Sequence, residues 1–85
     1  MTDTLKNVQE VLRDVFDDDA MEIRRDSTSE EVDGWDSMMH INVIIAVERR
    51  FGIRFAAAES NGLKEPGQNL GTFCDLIDRK LAAKA

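Results

Sequence analysis

Apolar residues recur at helical spacing in three segments of the chain. The first segment begins near residue 4, and its apolar positions repeat every three or four residues up to Phe16. Three carboxylates, Asp17–Asp19, follow, and because carboxylates oppose the dipole at a helix C-terminus, we predict that this helix ends near Phe16. The second segment runs from Met38 to Phe51, where Gly52 suits the left-handed position that ends a helix. The third spans Thr72 to Ala83.

The segments between these helices contain turn-forming residues. Residues 20–36 form a long polar connection, and connections of this length are often functional. A short helix is predicted over Ala56–Ser60, with turns at Asn61–Gly62 and Pro66–Gly67. The chain shows no alternation of period two, which strands would require. We therefore predict an all-α fold, a small four-helix bundle of three main helices and one short helix, forming a single domain over residues 1–85.

The second helix carries two apolar stripes when its residues are placed about 100° apart on a helical wheel. One stripe is the natural core face: Val43, Ile44, Val47 and Phe51. The other lies beside Ser37: Met38, Ile41 and Ile45. One core stripe suffices for a helix in a small bundle. The second stripe therefore indicates either deeper burial or a face reserved for a ligand or partner.

Ser37 lies where the second stripe meets the start of the helix. The first turn of a helix presents unpaired N–H groups and a partial positive charge, which favour a bound phosphate. The same position also suits an ordinary capping residue, and both Asp36 and Ser37 are good caps. Position alone leaves the two interpretations open.

Charge and composition exclude some classes of function and favour others. The 85 residues include 17 acidic and 11 basic side chains, with a net charge of −6. Residues 1–36 hold 12 acidic and 4 basic side chains, and residues 37–85 hold 5 and 7. This balance argues against nucleic-acid binding, which needs a basic face, and favours protein partners. We expect no metal site, because Asp17–Asp19 lack the alternating ligands, the glycine and the closing glutamate of a calcium loop.

The remaining sequence features predict a cytoplasmic chain without a membrane segment. No apolar run reaches about 18 residues, and the N-terminus lacks the order of a secretory signal. Cys74, the single cysteine, cannot form an internal disulfide and is predicted to be buried. His40 follows Ser37 by three residues, but no oxyanion-hole segment accompanies the pair, so we interpret His40 as a packing residue. Trp35 is interpreted as a loop anchor.

An ordered set of residues resembles the acyl carrier protein family. The set comprises Asp36-Ser37-Met38, Ile41, Asn42, Val47, Glu48 and the Phe-Gly-Ile-Arg-Phe segment at 51–55. The segment Thr-Phe-Cys-Asp-Leu-Ile at 72–77 also resembles the start of the family's last helix. The resemblance implies a non-catalytic carrier in which Ser37 receives a covalent 4′-phosphopantetheine arm and holds acyl groups as thioesters. Asp36 then belongs to the motif that supports this modification.

The resemblance also implies the protein partners. They are a phosphopantetheinyl transferase, which attaches the arm, and the acyl-loading and acyl-processing enzymes of a fatty-acid, polyketide or other dedicated pathway, acting on a monomeric carrier. The residues expected to be read by these partners lie around Ser37 and along the second helix: Trp35, Met38, Ile41, Ile45 and Glu48.

Two departures from the family pattern point to a specialised rather than a housekeeping member. Met38 replaces the usual leucine, and Glu48 is the only acid of a helix on which fatty-acid-synthesis carriers bear several. Arg49 and Arg50 oppose it, which gives residues 37–51 a charge of +1. The alternatives are an aminoacyl or peptidyl carrier with the same arm, although Gly34-Trp35-Asp36 differs from the usual peptidyl-carrier form, and an unmodified helical interaction domain.

Overall fold

The computed structural model describes residues 3–62 and 68–84, and within them the fold is entirely helical. The helices are α1 (Asp3–Val15), α2 (Ser37–Phe51), α3 (Ala57–Gly62) and α4 (Leu70–Lys84), with one 3₁₀ turn at Ser29–Glu31. Three long helices and one short helix confirm the predicted class. None of the described helices combines the length and the apolar character needed to cross a lipid bilayer.

The core lies between α1, α2 and α4. Its fully buried side chains come from all three helices: Val8, Leu12, Val43, Val47, Leu70, Cys74 and Ile77. The predicted core stripe of α2 is confirmed by burial of Val43, Ile44 and Val47, but Phe51 is only half-buried. Phe16, Phe51 and Phe55 lie at or just beyond helix ends, where fewer neighbours can surround a ring, and they pack on the rim of the core.

The ends of the helices agree with the predicted signals to within two residues. α1 ends at Val15, and Asp17 adopts a left-handed φ of 51° just beyond it. Gly52 ends α2 with a φ of 67°, and its N–H donates to the carbonyl of Glu48 over 2.8 Å. α4 begins at Leu70, two residues before the predicted start. The turn predicted at Asn61–Gly62 is wrong, because the backbone of both residues continues α3. The turn predicted at Pro66–Gly67 lies outside the described residues.

Backbone hydrogen bonds attach the long α1–α2 connection to α4. The N–H groups of Leu70 and Gly71 donate to the carbonyls of Ser27 and Arg25 over 2.8 and 2.7 Å. A Cβ atom at Gly71 would lie only 2.8 Å from the Arg25 carbonyl oxygen, so this close approach requires glycine. Arg25 also pairs with Asp75 of α4 at 3.0 Å. These contacts hold the connection against α4, and residues 35 and 36, which precede α2, follow from this fixed segment.

Candidate functional site

Asp36, and not Ser37, caps the first turn of α2. The Asp36 backbone is extended, and its carboxylate Oδ1 accepts a hydrogen bond from the backbone N–H of Met39 over 2.9 Å. Its carbonyl accepts the first helical bond, from the N–H of His40. Ser37 is the first helical residue, and its side chain is exposed without a hydrogen-bond partner among the described residues. Capping therefore leaves the Ser37 hydroxyl free.

The start of α2 also presents free donors. Within residues 3–62 and 68–84, the backbone N–H groups of Ser37 and Met38 have no hydrogen-bond acceptor. These groups carry the partial positive charge of the helix N-terminus. The exposed Ser37 hydroxyl therefore lies at a helix start with two free donors able to bind an anionic oxygen.

The second apolar stripe of α2 faces solvent. Met38 is 76% exposed, Ile41 58% and Ile45 42%, and they are the exposed large apolar side chains of the described residues. We call these three side chains the outer strip. Its exposure decides between the two interpretations of the stripe, because deeper burial is ruled out. An apolar strip of this kind on a small acidic domain is typical of a contact surface.

Trp35 and His40 join the loop before Ser37 to α2 and α3. Trp35 is half-buried, with its ring 5.6 Å from that of Phe16, and its Nε1–H donates to Nδ1 of His40 over 3.2 Å. His40 is only 5% exposed, and its Nε2 lies 2.5 Å from the carbonyl oxygen of Ser60 in α3. Because the carbonyl only accepts and the indole N–H only donates, Nε2 of His40 is the donor to Ser60 and Nδ1 is the acceptor from Trp35. Both nitrogens are engaged, so His40 is not positioned to act as a base for Ser37.

The comparisons with known proteins agree with this geometry. The solution structure of a holo acyl carrier protein from Geobacter metallireducens superposes with a TM-score of 0.83 and is 36% identical in sequence. The match covers 98% of this chain and 91% of that one. The chain belongs to the acyl carrier protein family. No protein-family model and no curated protein matches the chain.

Glu48 of this acyl carrier protein serves the fold in a way that the sequence did not reveal. Its Oε2 accepts a hydrogen bond from the backbone N–H of Phe55 over 2.8 Å, and its side chain is half-buried. The link between α2 and α3 therefore turns back onto α2. The acid expected on the partner surface thus has one oxygen engaged within the protein. The pattern that hinted at this arrangement was the pair of apolar residues, Ile53 and Phe55, after the helix-ending glycine.

Two arginines that follow Glu48 differ in their environment. Arg50 reaches α1, where its Nη2 lies 2.6 Å from Oε2 of Glu10 and 2.7 Å from Oδ1 of Asn7. Arg49 is exposed and makes no ion pair with the described residues of the carrier. The sequence treated these two charges alike, but only that of Arg49 is free.

Cys74 is fully buried, as predicted. Burial raises the pKa of its thiol to about 11, because the thiolate would lose its hydration. Among the described residues, no group of three His, Cys, Asp or Glu side chains is arranged to hold a metal ion.

Proposed function

We propose that Ser37 carries 4′-phosphopantetheine and that the protein holds acyl groups on this arm for partner enzymes. The observation that carries the proposal is the division of roles at the start of α2, where Asp36 caps the helix and Ser37 exposes an uncommitted hydroxyl. Its support from the comparisons is that the similar solved structure is described as a holo acyl carrier protein.

The residues around Ser37 fit a phosphodiester. An anion at the first turn of a helix gains about 0.3–1 kcal/mol from the dipole, and the free N–H groups of Ser37 and Met38 are its donors. The carboxylate of Asp36 is directed to the N–H of Met39, which keeps it on the helix turn. When attached, the arm supplies a thiol that holds an acyl group as a thioester.

The chain's own residues orient and present the arm. Asp36 fixes the start of α2, and Trp35 fixes the path of the loop through its contacts with Phe16 and His40. His40 is engaged on both nitrogens and is not the base in this proposal, which assigns activation of the Ser37 hydroxyl to a phosphopantetheinyl transferase. We infer that acyl-loading and acyl-processing enzymes then contact the outer strip, which begins one residue after Ser37.

The charge of α2 supports the proposal that the carrier works in a dedicated pathway, such as polyketide or other specialised acyl biosynthesis, rather than in housekeeping fatty-acid synthesis. Glu48 is its only acid, and that carboxylate binds the Phe55 N–H. The hydrogen bond leaves Glu48 charged, but with Arg49 and Arg50 the net charge of residues 37–51 is +1, so an enzyme that binds an acidic α2 surface would find no excess of negative charge here. We propose that the carrier is a cytoplasmic monomer that meets these enzymes in solution.

Intact-mass spectrometry tests the assignment of Ser37. The apo protein is incubated with coenzyme A, Mg²⁺ and a broad-specificity phosphopantetheinyl transferase, and we expect the mass of one phosphopantetheine group to be added. Ser37→Ala should abolish the addition. Ser60→Ala is the matched control, since the carrier uses the carbonyl of Ser60 to bind His40 and should still be modified. Wild-type protein that stays unmodified with several transferases would instead support an unmodified interaction domain.

A further inference from the structure

The outer strip ends at a pair of cations. Arg49 continues the row of Ile41 and Ile45 at intervals of four residues, which places the three on one face of α2. Ile45, Arg49 and Arg54 line one groove of about 450 Å³. Both arginines are exposed and form no ion pair with the residues that the structure describes. The apolar and basic groups therefore form one continuous surface.

The local charge of this surface is positive despite the acidity of the whole chain. Glu48 is the one carboxylate that lines the groove, and its Oε2 is bound to the N–H of Phe55. An adjoining groove adds Lys84 beside Arg54. A further groove places Arg49 and Arg50 beside Glu10 and Asp14 of α1. Glu10 pairs with Arg50, so Arg49, Arg54 and Lys84 remain against the carboxylates of Glu48 and Asp14, and the local charge stays positive.

Distance separates the basic end of α2 from the acidic residues around Ser37. Arg49 lies twelve residues after Ser37, about 18 Å along the helix axis at 1.5 Å per residue. Exposed charges interact weakly beyond about 8–10 Å at physiological ionic strength. The carboxylate of Asp36 therefore does not cancel the field at Arg49, and the carboxylate nearby that is not paired with Arg50 is Asp14 of α1. The net charge of −6 does not describe what a partner meets there.

We propose that the outer strip, Arg49 and Arg54 form one docking surface for an acyl-loading or acyl-processing enzyme whose own contact surface is apolar and ends in carboxylates. The inference rests on the proposed carrier function and specifies the partner's chemistry. The partner's carboxylates lie about 18 Å along α2 from the position where Ser37 enters, as the helical rise requires. Complementary charge at this end fixes the direction in which the enzyme meets α2.

Two synthetic amphipathic helical peptides can test whether the docking surface prefers a negatively charged partner. Both present the same leucine and methionine face, flanked by glutamates in one peptide and by lysines in the other. Each is titrated into the ¹⁵N-labelled Ser37→Ala protein, so that arm attachment plays no part. We expect about tenfold tighter binding of the glutamate peptide, with amide shifts at Ile41, Ile45 and Arg49. Adding salt should reduce the difference.

Charge reversal provides the matched comparison. The double variant Arg49→Glu/Arg54→Glu should lose the preference for the glutamate peptide or reverse it. Lys6→Glu/Arg79→Glu changes the net charge equally at exposed positions on α1 and α4, and it should keep the preference. If it loses the preference too, net charge and not this surface selects the partner.

Three other results would overturn the proposal. They are equal affinity for the two peptides, shifts confined to surfaces away from α2, and equally strong shifts with phosphatidylglycerol vesicles, which would assign the surface to a lipid headgroup. Because the mass-spectrometric test of Ser37 needs no peptide, failure of the docking surface and failure of the carrier function are separate outcomes.

Discussion

The substitution Trp35→Phe tests whether the hydrogen bonds between the loop, α2 and α3 stabilise the site. It keeps an aromatic ring near Phe16 but removes the N–H that donates to Nδ1 of His40 over 3.2 Å. A hydrogen bond between neutral groups contributes about 0.5–1.5 kcal/mol, and a buried acceptor left without a donor costs about 1–3 kcal/mol. With His40 only 5% exposed, water does not easily replace the indole. We expect Trp35→Phe to lower the free energy of unfolding by about 1–3 kcal/mol.

A double-mutant cycle separates the hydrogen bond from the loss of ring volume. His40→Leu removes Nδ1 and with it the bond to Trp35. It also removes the contact with the carbonyl of Ser60, but that loss occurs with either residue at position 35 and cancels in the cycle. If the bond matters, the two substitutions together cost less than the sum of their separate effects, with a coupling of about 0.5–1.5 kcal/mol. Urea unfolding followed by circular dichroism at pH 7.5 measures all four proteins. Additive costs would refute the reasoning, because they would show that packing alone carries the effect of Trp35.

Two further predictions concern Cys74 and the arginines of α2. With a thiol pKa of about 11, roughly one Cys74 in a thousand is a thiolate at pH 8. A disulfide reagent should therefore modify the folded apo protein far more slowly than the urea-unfolded protein, and the rate for the folded protein should increase as the pH rises towards 11. Equal rates for folded and unfolded protein would contradict burial of Cys74. Arg50→Ala should lower the free energy of unfolding by up to about 1 kcal/mol more than Arg49→Ala does, because both remove a cation from the last turn of α2 but only Arg50 pairs with Glu10. Equal losses on urea titration would contradict this.

The helices and the two faces of α2 were predictable because they follow from spacing alone. A helix that carries apolar residues at 43, 44 and 47 and again at 38, 41 and 45 has more apolar surface than one core contact buries. The exposure of the outer strip confirms that reasoning. Gly52 was predictable for a similar reason, since a left-handed residue at the end of a helix favours glycine.

The contacts that depend on where the chain turns back were not predictable. The apolar pair Ile53 and Phe55 indicates that the chain returns towards the core, but it does not indicate that the N–H of Phe55 bonds to the carboxylate of Glu48. The partner of Arg50 is Glu10, forty residues earlier, and only the packing of α2 on α1 brings the two together. The sequence analysis therefore expected Glu48 on the partner surface and counted Arg50 as a free charge of α2, although each makes a contact within the fold.

The choice between Asp36 and Ser37 as the cap connects the local structure to the function. Both residues are good caps, so their order in the chain left the role of Ser37 open. Because Asp36 holds the N–H of Met39, the first turn of α2 does not depend on the Ser37 hydroxyl. A group attached to Ser37 can therefore extend into solvent without removing a hydrogen bond from the helix. Had Ser37 been the cap, attaching a group to its hydroxyl would have removed the capping hydrogen bond and cost about 1 kcal/mol of helix stability.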